Sequence, residues 1–174
     1  MKSLFLVLVS LFLTIGIYSC ASKKNTTSDV VKTETANTSS SGDTLFASLQ
    51  RGYCFGRCPV YTIEIYKSGY AVYEGKANVE MLGKYSTRFT KDQMNSLVKV
   101  ANEINYATLE DKYDGNITDI PSHTTSIVLN GRRKQVMRRY NYPRSILEFE
   151  NQFDTLIKEA KWTLLEKFID PNNR

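Results

Sequence analysis

Tyr61-Thr62-Ile63-Glu64-Ile65-Tyr66-Lys67-Ser68-Gly69-Tyr70-Ala71-Val72-Tyr73-Glu74-Gly75 is the stretch on which the fold turns. Its two halves, Tyr61 to Tyr66 and Tyr70 to Gly75, are rich in aromatic and β-branched residues, side chains that fit a pleated, half-buried surface. Lys67-Ser68-Gly69 separates them as a short polar break with a glycine, and the whole reads as a β-hairpin.

The flanking segments extend this pair. Thr44 to Gln50 reads as a strand with Leu45, Ala47 and Leu49 on one side, and Tyr85 to Phe89 as another. A helix opens at Thr90, with Gln93 completing a capping box and Phe89 placed to staple onto Met94. Its apolar stripe is Met94, Leu97, Val98, Ala101 and Ile104, a face that belongs on a sheet. Thr124 to Leu129 and Lys134 to Arg138 form a second hairpin around Asn130-Gly131, a pair that readily takes positive φ. Ser145 and Glu148 spell another capping box, and Ile146, Phe149, Phe153, Leu156, Ile157, Ala160, Leu164 and Phe168 continue a helical period to about Phe168. The expected class is α+β in the order β-β-β-β-α-β-β-α. It is an antiparallel sheet of five or six strands with two helices packed on one face. Tyr61, Tyr66, Tyr70 and Tyr73 are candidates to coat the other face as a partner surface.

Residues before the domain have a different character. Lys2 and the apolar run Leu4 to Ile17 look like an export signal, since a helix of about 21 Å is short for a bilayer core of roughly 30 Å. Ile17-Tyr18-Ser19-Cys20 resembles the lipobox of bacterial lipoproteins, although Ile17 stands where leucine is usual and Tyr18 is bulky. That resemblance implies diacylglycerol on the Cys20 thiol, cleavage before it and a further acyl chain on its amine. Two or more chains make a stable anchor where one does not. An ordinary secretory signal with an incidental cysteine is the competing reading. Residues 21–42 are Ser, Thr, Asn and Lys without periodicity, a composition too polar to offset the entropy of ordering it. The expected organisation is a signal at 1–19, a lipidated cysteine and disordered tether at 20–42, and one α+β domain at 43–174. The expected location is the cell envelope, anchored to a bilayer, with the outer membrane preferred.

The formal charge of +5 is too mild to imply nucleic acid. Of three cysteines, lipidation of Cys20 leaves Cys54 and Cys58. In an exported chain these are expected to pair, because a tight i,i+4 placement brings their Cα atoms within disulfide range. A redox dithiol, which prefers Cys-x-x-Cys, stays open as an alternative. A haem attachment lacks its histidine, and zinc lacks ligands, His123 being the one histidine.

Arg51, Cys54-Phe55-Gly56, Cys58-Pro59, Tyr61, Gly69 and Tyr73-Glu74-Gly75, with Thr118-Asp119 and Pro121 downstream, carry a family likeness. They resemble the bacterial family catalogued as domain of unknown function 6438, over roughly residues 44–160. The resemblance implies an envelope setting in Bacteroidota and their relatives, and it carries no activity onto any residue.

Two further clusters bear on function. His123 lies near Asp119 and Ser122, which makes His123 and Asp119 the candidates for hydrolytic chemistry. Neither a nucleophile elbow nor an oxyanion loop accompanies them, and a turn or exposed loop is the simpler expectation. Asp111, Asp114 and Asp119 lack the spacing of a calcium loop, so no metal or cofactor is expected. Arg132, Arg133, Lys134, Arg138 and Arg139 make the second hairpin strongly basic. They read as a solvated edge that resists sheet-to-sheet association, or as a contact patch for an envelope protein or anionic glycan. The preferred function is a membrane-tethered structural or binding domain. The alternative is an envelope hydrolase or thiol-redox enzyme using His123 with Asp119, or Cys54 with Cys58.

Overall fold

The computed structural model describes residues 42–168; the signal, Cys20 and all of the tether except Gly42 lie outside them. The elements are β1 (Leu45–Arg51), β2 (Val60–Tyr66), β3 (Tyr70–Ala77), β4 (Gly83–Arg88), α1 (Lys91–Glu103), a 3-10 turn (Tyr106–Thr108), β5 (Lys112–Tyr113), β6 (His123–Leu129), β7 (Arg132–Arg138), α2 (Ile146–Glu159) and β8 (Thr163–Glu166). All strands join one sheet in the order β5-β7-β6-β1-β2-β3-β4-β8. Every pair is antiparallel except β5 with β7. The class is α+β, with eight strands in place of the expected five or six.

One sheet face is apolar and lies under both helices. Ala47, Leu49, Ile63, Ile65, Ala71, Tyr73, Ile127 and Val136 meet Leu97 and Ala101 of α1 and Ile146, Phe149, Phe153 and Leu156 of α2 in a single core. The α1 capping box forms as its sequence indicates: Thr90 Oγ1 accepts from the Gln93 amide, and Gln93 Oε1 accepts from the Thr90 amide. Asn130 and Gly131 both take positive φ at the second hairpin turn.

Several expectations are corrected. Tyr61 and Tyr73 face the core rather than the open side, because alternation puts them with Ile63 and Ile65 and with Ala71; Tyr66 and Tyr70 remain on the open face. Ser145 makes no side-chain cap; the carbonyls of Pro143, Arg144 and Ser145 take the first amides of α2 instead. The second helix stops at Glu159, not Phe168. Ala160 is extended, Trp162 Nε1 donates to the Ile157 carbonyl, and the indole packs on Tyr73 and Phe89. That fold-back frees Thr163–Glu166 to pair with β4 as an edge strand.

The antiparallel register gives the sheet two distinct ends. The chain enters at Asp43 beside the Lys67-Ser68 turn and the Asn130-Gly131 turn. The opposite end carries the loop of residues 52–59 and the connection between β3 and β4.

Candidate functional site

Register aligns four polar side chains at that second end. Tyr61 on β2 is opposite Arg51 on β1, Arg51 opposite His123 on β6, and His123 opposite Arg138 on β7. Each lies two residues from a buried position in its own strand, so the row faces α2. Glu150 and Asp154, one helical turn apart on α2, project onto it. Arg138 grips Glu150 with a fork, Nε to Oε1 at 2.5 Å and Nη2 to Oε2 at 2.6 Å, and stacks 4.4 Å from the Tyr142 ring centroid. Arg51 donates from Nη2 to Asp154 at 2.7 Å and from Nε to the Tyr61 hydroxyl at 2.9 Å, while Tyr61 donates to Asp154.

Glu150 is 1% exposed, and its charge survives because the row surrounds it. Burial opposes ionisation, but hydrogen bonds from His123 and Arg138 outweigh it and bring the carboxyl down to about 2. Burial pushes the Tyr61 hydroxyl far above the usual phenol range against the pull of Arg51, so it stays a donor. His123 Nδ1 stands 2.9 Å from Glu150 Oε2 and 2.7 Å from Arg138 Nη2. One ring nitrogen serves one of these: unprotonated it accepts from Arg138, protonated it donates to Glu150.

This geometry rearranges the candidates drawn from sequence. His123 is buried at the head of β6 rather than exposed in a loop, and its acidic neighbour is Glu150, not Asp119. Asp119 has positive φ and accepts from the Thr118 hydroxyl. Arg138 leaves the basic patch because it shares the core face with Val136. Arg139 also leaves it, donating to the Ile117 carbonyl at 2.6 Å and lying 3.6 Å from Asp114. Arg51, Glu150 and Asp154 complete the row without having been site candidates, and Tyr61 joins it instead of coating the open face.

Next to the row, Cys54 and Cys58 stand at disulfide distance with Cα atoms 5.9 Å apart. The loop is pinned at both ends, by the Gly52 amide on the Ser122 carbonyl and by Asn78 Nδ2 on the Cys58 carbonyl. A side chain at Gly52 would bring a Cβ 2.8 Å from the Ser122 oxygen, so glycine permits the close approach. The loop then presents Phe55 at 92% exposure and Tyr53 at 68%, with Arg57 also in solvent. Replacing both cysteines by serine is expected to lower stability by only about 2 kcal/mol, because the closed loop is short. Urea unfolding of the two forms checks this, and a loss of cooperative folding would contradict it.

At the other end Arg132, Arg133 and Lys134 line a concavity of about 530 Å³ together with Ala107, Leu129 and Asn130. Lys134 is held by Asp111 at 2.5 Å. Arg133 reaches Ser126 at 3.3 Å, and neither Arg132 nor Arg133 has a carboxylate at ion-pair distance among the described residues.

The molecule is thus a two-layer α+β domain whose second helix is fastened to its sheet by a buried ion-pair row beside a cysteine-clamped loop. Residues 46–157 match the family described as domain of unknown function (DUF6438), and the chain belongs to that family. No curated protein matches the chain.

Proposed function

We propose that this chain is a membrane-tethered envelope lipoprotein, anchored through acyl chains on Cys20, whose domain binds an acidic envelope partner at the tip of its second hairpin. The observation that carries the reading is the concavity bounded by Arg132 and Arg133, two guanidinium groups without acidic partners among the described residues. Guanidinium is weakly hydrated and forks onto carboxylate or phosphate, the groups that acidic proteins and anionic glycans present. The concavity lies at the end where the chain enters the domain. The anchoring bilayer is the outer membrane by preference.

Arg132→Glu with Arg133→Glu tests the reading in the full chain within intact membranes. Each charged hydrogen bond lost costs roughly 1.5–3 kcal/mol, so with two lost, capture of the partner should fall by at least about a hundredfold while circular dichroism stays unchanged. Recovery of the same partners in the same amounts would sink it. Arg138 does not belong in this variant, since reversing a buried cation would disturb the fold.

A further inference from the structure

A projecting aromatic side chain and an apolar cleft lie side by side at the end opposite the basic concavity. Phe55, 92% exposed, sits at the apex of the cysteine-clamped loop, with exposed Arg57 two residues on. Pro59, which closes that loop, is also one wall of a cleft of about 390 Å³. Tyr73, Val79, Met81, Ile157 and Trp162 supply most of its apolar lining, and Asn78, Glu80 and Lys158 supply the polar part. An apolar cavity of about 150 Å³ already accepts benzene, so the cleft has room for a phenyl ring and the atoms that carry it. Arg57 and Glu80 each lack an ion-pair partner among the described residues.

We infer that a second copy of this chain fills the cleft: two domains meet about a two-fold axis, each seating Phe55 in the other's cleft and setting Arg57 against the other's Glu80. A two-fold interface requires one patch to carry both halves of the contact, and here projection and cleft share Pro59. The pinned loop loses little freedom on docking, and Phe55 removes its apolar surface from water. The contact is small and is expected to be weak and reversible. It uses neither Arg132 nor Arg133, so it stands or falls apart from the proposed function.

The test places p-benzoylphenylalanine at position 55 of the full chain and irradiates intact cells that also make a differently tagged copy. The expected product carries both tags, has twice the chain mass and bears its adduct on the cleft, with Met81 foremost. Arg57→Glu and Glu80→Arg should each lower its yield several-fold, and the chain carrying both substitutions should regain it. Both positions are exposed, so neither change threatens the fold. Adducts only with other proteins, adducts only within one chain, no adduct, or a yield that the single reversals leave unchanged would each overturn the inference.

Discussion

Glu150→Gln is expected to lower the unfolding free energy by about 3 kcal/mol at neutral pH and to flatten the acid limb of the stability curve. The carboxyl moves from an ordinary 4.5 to about 2 on folding, held there against its own burial by His123 and Arg138. At about 1.4 kcal/mol per pKa unit, that preference is worth on the order of 3 kcal/mol. A carboxyl depressed by folding stabilises the native state fully once pH exceeds the unfolded value. The contribution declines as pH falls from about 4.5 and is gone below about 2. Glutamine keeps the shape and one acceptor, yet leaves Arg138 as a buried cation without its countercharge. Urea denaturation of both proteins from pH 7 to pH 2 should therefore show two curves far apart at neutral pH that converge in acid. Parallel curves would mean that Glu150 is not ionised in the row.

Part of this row is legible in the sequence of the same helix. Ile146, Glu150, Phe153 and Ile157 recur at four, three and four, so Glu150 occupies the apolar stripe of α2. A carboxylate there demands a buried cation, and strand alternation offers Arg138, two residues beyond Val136. Arg138 stands close to Arg132, Arg133, Lys134 and Arg139 along the chain, and that crowding masks its place on the core face. Pairing across strands is long-range, so nothing local places Arg51 next to His123 or Tyr61 next to Arg51. The hairpins, the first helix and the cysteine pair are local features, and their residues announce them. The two extra strands have local reasons for escaping notice. Lys112–Tyr113 is too short to show a period, and Thr163–Glu166 continues by coincidence the three-and-four spacing of the helix before it.

Phe149→Ala is expected to cost about 3–5 kcal/mol. Phe149 has no exposed surface, lies 4.7 Å from the Tyr106 ring and 5.2 Å from the Phe153 ring, and stands between the helix and the sheet. Tyr106 cannot slide into the space, because its hydroxyl is held at 2.7 Å by Thr125 Oγ1 and at 2.9 Å by the Thr125 carbonyl. A cavity that does not collapse puts the cost at the upper end of the range, and a fall in melting temperature of roughly 10–20 °C should accompany it. Leu164→Ala is the matched comparison. Helical spacing makes Leu164 a core residue of an extended α2, whereas on β8 it is 50% exposed and its loss should cost under about 0.5 kcal/mol. Similar costs at the two positions would return residues 160–168 to the helix and unseat Trp162. A large loss at Phe149 beside a negligible one at Leu164 places the end of the apolar face at Ile157, where the indole of Trp162 turns the chain back to the sheet.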